Sequence, residues 1–241
     1  MDYAEGDSTS TSGTPSGSTN QVAMYLNRKV WNYGLASYDR PNILTFHFLW
    51  DVPRLSRVLP NPLVRTVFDG WQVSNITSFV AGSPLAISMT TSPSVNFTGG
   101  GDGARPLMVG DPNLSGSQRT FYQWFNVAAF AEPKAISPSS CTSSGCPPIT
   151  IANIGDMPEM PIRGPGRNNW NTSIFKNFVI RERLQFQFRA EAYNTFNHTQ
   201  YSGVDTTIQY NAAGQNTRAS SGNITSARDP RIMQFALRVI F

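Results

Sequence analysis

The sequence predicts an all-β protein whose strands form an antiparallel up-and-down meander. Three observations predict it: apolar and polar residues alternate in several segments, turn-forming residues separate those segments, and charged residues are few. Charged residues make up 14% of the 241 residues, against about a quarter in ordinary soluble domains. Low charge combined with abundant Ser, Thr, Asn, Gly and Pro is typical of β-structure with long polar loops.

Composition and motifs argue against several other classes of protein. No apolar stretch reaches the roughly 18 residues that a membrane-spanning helix needs, and no apolar signal core follows Met1. The net charge is +4, but the basic residues form no run of the kind that binds nucleic acid. We find no nucleophile elbow, zinc-protease helix or acid/base pair. The sequence therefore predicts no enzyme, no cofactor, no nucleic-acid partner, and no catalytic, cofactor-binding or metal-binding residue.

The chain divides into a polar start and a strand-rich remainder. Residues 1–40 are rich in Ser, Thr and Gly and are expected to form a polar loop or a truncated edge. Residues 41–241 contain the strands. The first is predicted at 43–52, where Leu44, Phe46, Phe48 and Trp50 share one face. A second is predicted at 70–89, with a β-bulge near Asn75 and Ile76, where the alternation blurs.

Residues from about 92 to 166 show no sustained period and are predicted to form one long loop. Loops of this length are uncommon in compact soluble domains but are found on the outer side of outer-membrane barrels. Cys141 and Cys146 lie in this loop, with no histidine or second cysteine pair nearby to complete a zinc site. A small disulfide in an oxidising compartment is the preferred interpretation.

Two further strands are predicted at 169–180 and 183–195, joined by a tight turn. Apolar residues line one face, and Gln, Arg and Glu line the other, so Arg189 and Glu191 are expected to point into a polar lumen as part of a cross-strand charge ladder. Lys176 is the one charge on the apolar face, and we expect it to snorkel towards lipid headgroups.

The final strand is predicted at 230–241, and it ends on an aromatic residue. Its polar face includes Arg238, which is a third expected lumen-facing charge. Its apolar face consists of Met233, Phe235, Leu237, Val239 and Phe241. An unpaired apolar edge at a terminus is unusual in a soluble protein. The two specialised faces therefore predict a partial, open segment of a transmembrane outer-membrane β-barrel with long outer loops.

Several strings in this part of the chain point to a family. The C-terminal strand resembles the signal read by the barrel-assembly machinery of bacterial outer membranes. Longer strings resemble the C-terminal part of Oar-like TonB-dependent receptors: 69–73 (DGWQV), 82–85 (GSPL), 125–130 (FNVAAF), 163–166 (RGPG), 173–178 (SIFKNF), 189–198 (RAEAYNTFNH) and 226–235 (SARDPRIMQF). Each string is weak alone, but their order and spacing cover roughly residues 40–241.

The resemblance implies a ligand-binding and uptake function in the bacterial outer membrane. It implies a plugged barrel of about 22 strands, with outer-membrane lipid, the barrel-assembly machinery and the energy-coupling TonB protein as partners. This chain shows no plug and too few strands to close, so the missing N-terminal strands and plug of a parent protein are also expected partners.

Two alternatives remain open at this stage. One is an outer-membrane barrel that displays its loops for surface interaction or adhesion without transport. The other is a soluble carbohydrate-binding β-sandwich, because the strands of a sandwich also alternate.

Overall fold

The computed structural model describes residues 3–5, 33–92, 105–133, 155–181 and 184–241. Its strands are β1 (Tyr3–Glu5), β2 (Tyr33–Leu35), β3 (Ile43–Asp51), β4 (Trp71–Val80), β5 (Pro84–Leu85), β6 (Ser88–Ser92), β7 (Leu107–Met108), β8 (Phe130–Ala131), β9 (Ile162–Arg163), β10 (Arg167–Arg181), β11 (Leu184–Tyr193), β12 (Tyr201–Val204), β13 (Thr207–Asn211), β14 (Ile224–Ala227) and β15 (Ile232–Ile240). Helix α1 spans Pro62–Phe68, and 3-10 turns lie at Leu55–Arg57 and Val127–Ala129. In the part of the chain described, no helix is long and apolar enough to cross a membrane.

The five longest strands form one sheet in the order β15-β11-β10-β4-β3. Every neighbouring pair is antiparallel. Consecutive long strands are therefore neighbours, which confirms the predicted meander. β10 and β11 are joined across Arg181 and Leu184, as the predicted tight turn requires.

The second strand is shorter than predicted, and the expected bulge is not present. β4 ends at Val80 and keeps a continuous register with β10 and β3 through Asn75 and Ile76. Just after β4, a Cβ on Gly82 would lie 1.8 Å from the carbonyl oxygen of Gly164, an approach that only glycine permits. The predicted residues 84–89 instead contribute β5 and the start of β6, each of which belongs to another sheet.

The structure separates into two compact units. Unit 1 comprises residues 1–41, 82–165 and 202–226, and unit 2 comprises residues 42–81, 166–201 and 227–241. Unit 2 contains the five-stranded sheet. Unit 1 contains most of the short strands, and it includes most of the segment that the sequence predicts as a single long loop.

Unit 1 has a hydrophobic core of its own. The residues at its centre come from segments far apart in the sequence: Ile87, Phe125, Ala129, Phe130, Met157, Ile162, Ile208 and Tyr210. Phe125 and Phe130 meet edge to face, with ring centroids 6.0 Å apart. Short strand pairs hold these segments together, among them β5 with β9, β7 with β8, and the parallel pair β6 and β13.

An ion pair with one buried partner lies in unit 1. The Arg163 guanidinium pairs with the buried Asp39 carboxylate, and the Arg163 carbonyl accepts a 2.8 Å hydrogen bond from the Trp124 indole. The amide of Gly164 donates to Ser83 at 2.8 Å. Each charge of this pair is compensated, which a buried charge requires.

Candidate functional site

The register of the sheet sorts its side chains into two faces. Directly opposed residues of neighbouring strands share a face, and the pairings align the apolar positions across all five strands. The apolar face comprises Leu44, Phe46, Phe48, Trp50, Trp71, Val73, Asn75, Thr77, Phe79, Trp170, Thr172, Ile174, Lys176, Phe178, Phe186, Phe188, Ala190, Ala192, Met233, Phe235, Leu237 and Val239. A continuous face of this kind is much larger than the scattered apolar surface of a water-soluble monomer.

Aromatic rings cluster at one end of this face. Trp170 meets Phe46, Phe79 and Phe196 edge to face, with ring centroids 5.7, 6.0 and 5.4 Å apart. The Trp170 indole donates to Asn168 at 2.9 Å. A ring that is apolar in its body and hydrogen-bonded at its tip suits the boundary between hydrocarbon and water.

A second aromatic group lies at the opposite end of the face. The Lys176 ammonium lies 5.4 Å from the Trp71 ring centroid and 5.1 Å from that of Phe178, and it donates to the carbonyl oxygen of Asp69. Lys176 is only 2% exposed, so it does not snorkel as expected. Cation–π contacts and a carbonyl acceptor compensate its charge in place.

The turn before β4 brings that carbonyl to Lys176. Gly70 has φ +77°, and a Cβ there would lie 2.8 Å from the Asn177 carbonyl oxygen. The amide of Asn177 in turn donates to Gly70 at 3.0 Å. The Asp69 carboxylate accepts from the Ser56 hydroxyl and amide, and the hydroxyl hydrogen bond is the main reason that the pKa of Asp69 lies below its usual value.

The two aromatic groups are separated by somewhat less than the height of the apolar band of an outer-membrane barrel. Trp71 and Phe79 are eight residues apart on β4, or about 27 Å along a strand at about 3.4 Å per residue. A strand tilt of about 40° reduces that height to about 20 Å. The apolar band of an outer-membrane barrel is about 25 Å tall, with aromatic girdles at both interfaces.

A buried polar cluster interrupts the apolar face between the two groups. The Thr77 hydroxyl donates to Asn75 at 2.6 Å, and the Asn75 amide donates to the Thr172 hydroxyl at 3.0 Å. Thr195 donates to the same hydroxyl at 3.0 Å. Sequence analysis missed this cluster, because it interpreted the weakened alternation near Asn75 as a bulge. The four residues satisfy one another, so β4 needs no backbone irregularity there.

The polar face carries the three charges predicted to line a lumen. Arg189 lies opposite Ala236 and Phe175, and its guanidinium lies 5.3 Å from the Phe175 ring centroid. It donates to Gln187 at 2.7 Å, and Gln187 donates to Asn177 at 2.9 Å. The resulting ladder consists of amides and a guanidinium, because the register places no carboxylate opposite Arg189.

The other two charges stand apart from Arg189. Glu191 accepts a 3.2 Å hydrogen bond from the Tyr193 hydroxyl and lies opposite Ser173 and Gln234. Arg238 lies opposite Gln187 at the edge of the sheet. All three charges share the polar face, and their orientation towards a lumen stays a prediction.

The residues of the predicted assembly signal lie on the edge strand β15 and just beyond it. Met233, Phe235, Leu237 and Val239 share the apolar face, and all of them and Phe241 are exposed. Cys141 and Cys146 lie outside the described residues, so their disulfide stays a prediction. No group of three or more His, Cys, Asp or Glu that could hold a metal ion occurs within the described ranges.

Two of the strings that resemble Oar-like receptors, residues 189–198 and 226–235, are hydrogen-bonded to each other. Asn194 and Asn197 both have φ +51°, a left-handed conformation that asparagine tolerates better than most residues. The Asn194 amide donates to the His198 and Asp229 carbonyls at 3.3 and 3.4 Å, and Asn197 accepts from the Arg231 amide at 2.9 Å. These bonds join the end of β11 to the start of β15.

Comparison with known proteins gives the class of this chain. A family profile described as an outer membrane beta barrel domain matches residues 2–234. The chain therefore belongs to the outer membrane beta barrel domain family, and its location is the bacterial outer membrane. No curated protein and no solved structure matches the chain. Membership agrees with the two specialised faces and replaces the alternative of a soluble β-sandwich.

Proposed function

We propose that this chain forms part of the barrel of a TonB-dependent receptor, which binds a ligand at the cell surface and takes it up across the outer membrane. The observation that supports this most is the sheet with one apolar and one polar face, since a polar inner wall is what a ligand-passing or plugged barrel requires. The resemblance of the strings between residues 69 and 235 to Oar-like receptors supports the receptor class. No catalytic role enters this proposal.

The orientation follows from the lengths of the connections. Only two residues separate β10 from β11 at one end of the sheet, whereas long connections leave the opposite end after β4 and β11. Outer-membrane barrels have short periplasmic turns and long extracellular loops. In this proposal the end at Trp71 and Phe178 is therefore periplasmic, and β15 runs inward.

Further strands must complete the barrel. β3 and β15 are the two edges of the sheet, and in a five-stranded meander the first and last strands run in the same direction. β3 and β15 therefore cannot pair antiparallel with each other. Nor can either of them pair antiparallel with an edge strand of a second copy that has the same orientation in the membrane. Only a closed barrel satisfies every backbone group in lipid. We propose that an odd number of strands from outside this sheet closes it, together with the plug that the resemblance implies.

Energy dependence separates uptake from its main alternative. Cells producing the full-length receptor should deplete one or more solutes from a defined medium, as followed by mass spectrometry, and a protonophore should abolish that depletion. TonB-coupled transport depends on the inner-membrane proton gradient, whereas display or adhesion does not. Solute depletion that is identical with and without the receptor would contradict the transport proposal.

The core of unit 1 favours the alternative of surface display. Described residues of the connections that follow β4 and β11 share a hydrophobic core, which a passive loop does not need. If display is the function, cells should lose surface attachment when the receptor is deleted, and the protonophore should leave attachment unchanged.

We propose that the barrel-assembly machinery recognises the C-terminal strand. Deletion of Phe241 should lower the amount of heat-modifiable, membrane-inserted protein, because the terminal aromatic residue is the proposed recognition feature. Substitution of Arg238 by glutamine on the opposite face is the matched control and should leave assembly unchanged. Normal insertion of the protein without Phe241 would contradict this proposal.

A further inference from the structure

The connection between β3 and β4 differs from an ordinary short periplasmic turn. It contains a 3-10 turn at Leu55–Arg57 and helix α1, and it exposes six large apolar side chains. These are Leu55, Val58, Leu59, Leu63, Val67 and Phe68. Val58 is 75% and Leu63 is 74% exposed, although large apolar residues are more often buried in water-soluble proteins.

Helix α1 is amphipathic. Leu63 and Val67 are four residues apart and so lie on the same side of the helix, and Val64 and Phe68 extend that stripe. Arg65 and Thr66 occupy the other side. Leu63, Val67 and Phe68 of this stripe are exposed, and an exposed apolar stripe favours insertion into an interface between water and hydrocarbon.

The connection also carries three arginines. Arg54, Arg57 and Arg65 make no ion pair within the described part of the chain. Arg54 lies near enough to Asp69 to contribute, as the smallest of several causes, to the lowered pKa of that carboxyl group. Basic residues beside an exposed apolar stripe are typical of segments that bind anionic lipid surfaces.

The connection is hydrogen-bonded to the sheet next to the aromatic group formed by Trp71 and Phe178. The Trp71 indole donates to the Val67 carbonyl at 2.8 Å, and the amide of Val52 donates to Trp71 at 3.0 Å. Asp69 binds both Ser56 and Lys176. Helix α1 is therefore continuous with the membrane-facing surface and is not free to move far from it.

We propose that residues 53–68 form an interfacial anchor that lies on the inner leaflet of the outer membrane. The apolar side chains of the anchor enter the hydrocarbon, and Arg54, Arg57 and Arg65 bind the phosphate groups of anionic phospholipids. The proposal goes beyond transport or display, and it rests on the periplasmic orientation of this end of the sheet. The occupant is lipid, because the apolar surface joins the lipid-facing sheet and the charges are complementary to phosphate.

Site-specific fluorescence tests the anchor in the full-length receptor. With all native cysteines replaced, an environment-sensitive fluorophore is attached at Leu63→Cys, with Thr66→Cys as the matched control on the polar side of helix α1. The protein is reconstituted in vesicles of phosphatidylethanolamine and phosphatidylglycerol. We expect blue-shifted emission and quenching by bilayer quenchers at position 63 and neither at position 66. Equal, water-like emission at both positions would overturn the proposal.

Anionic lipid recognition is tested in the same vesicles with the quencher on one lipid at a time. Quenching at position 63 should be stronger when phosphatidylglycerol carries the quencher than when phosphatidylethanolamine does. R54Q, R57Q and R65Q combined should bring the two values together, each arginine contributing up to about fivefold to the preference. R228Q, at the other end of the sheet, should change nothing. A preference that survives the triple substitution would overturn the role of the arginines.

Two further measurements distinguish the anchor from its alternatives. A fluorophore at Leu237→Cys reports on the sheet itself, so lipid quenching there without quenching at position 63 would overturn the anchor and leave the barrel intact. The emission at position 63 is also compared between these vesicles and native outer membranes. Protection of the fluorophore from water in native membranes, combined with water-like emission in pure lipid vesicles, would show that a protein covers the helix. That result would overturn the lipid assignment.

Discussion

The two units of this molecule place large apolar residues in opposite environments, buried in unit 1 and exposed in unit 2. In unit 1, Phe125 is 1% and Ile208 is 0% exposed, whereas in the sheet of unit 2 Phe235 is 63% and Leu237 is 65% exposed. Water surrounding a folded unit drives apolar residues inward. In a membrane the surrounding lipid is as apolar as leucine, so the same residues remain on the surface. The comparison shows that each unit is built for a different solvent.

Removal of a buried aromatic ring should have the largest effect on the stability of unit 1. Phe125→Ala removes a ring from the core of unit 1 and should destabilise that unit by about 3–5 kcal/mol. Phe235→Ala on the lipid face should cost far less, because no protein cavity forms. Hydrogen exchange of residues 105–133 checks this. Equal effects of the two substitutions on that segment would contradict a separate core in unit 1.

A charge on the lipid face should have the next largest effect. Phe235→Arg should lower the free energy of unfolding by about 2–4 kcal/mol if the residue lies near the bilayer midplane. Gln234→Arg is the matched control, since Gln234 lies on the polar face opposite Glu191. The heat-modified fraction on gels as a function of temperature measures both. If the control is the more damaging substitution, the assignment of the two faces is reversed.

Loss of a hydroxyl from the buried polar cluster should have a smaller effect. Thr77→Val removes the donor to Asn75 and should cost about 1–3 kcal/mol, since a buried acceptor is left without its hydrogen bond. Ser78→Ala, one residue along and on the opposite face, should be close to neutral. Thermal unfolding of the membrane-inserted protein compares the two variants, and a neutral Thr77→Val would show that the cluster does not stabilise β4.

The smallest effects should come from pH, and in unit 1 two carboxyl groups should carry them. Burial raises the pKa of Glu159, with nearby Arg105 opposing the shift. The folded unit then holds this proton more tightly than the unfolded chain, so stability falls as the pH rises through the usual value of 4.5 towards the raised pKa. Glu159→Gln should remove that dependence, as measured by hydrogen exchange of unit 1 at a series of pH values.

Asp205 should act at lower pH and in the opposite direction. Burial alone would raise its pKa, but hydrogen bonds from Ser220, Arg218 and the Thr207 amide lower it below the usual 3.8. Its contribution is complete above that pH and is lost as the pH falls through the lowered pKa. Asp205→Asn should abolish this acid-side loss while leaving the Glu159 effect in place. An unchanged acid-side loss in this variant would contradict the role of Asp205.

The sheet could be predicted from sequence because each of its strands obeys a local rule. Alternation with a period of two predicts both the strand and its face, as along Leu184–Tyr193. The core of unit 1 depends on contacts between distant segments. Ile87 and Ile208 meet there from segments more than a hundred residues apart, and each lies in a short alternating stretch that does not show what it packs against. Only the tertiary structure shows that these positions are buried.

The exceptions on the apolar face were also beyond sequence analysis. Lys176 and Thr77 look out of place in an alternating pattern, and whether such residues snorkel, form a bulge or are satisfied in place depends on neighbours across the sheet. For Lys176 the decisive partner is the carbonyl of Asp69, which the Gly70 turn brings to it. For Thr77 it is Asn75 on the same strand. Such partners become visible only once register and turn geometry are known.

The most direct test of the two-solvent account is the water accessibility of alternate residues on one strand. Single cysteines at Gln185, Phe186, Gln187 and Phe188, in a receptor without its native cysteines, are exposed to a water-soluble maleimide in isolated outer membranes. The account predicts labelling at 185 and 187 and protection at 186 and 188, with protection lost when detergent-solubilised protein is unfolded. Equal labelling at all four positions would contradict it, because the apolar face of the sheet would then be in water.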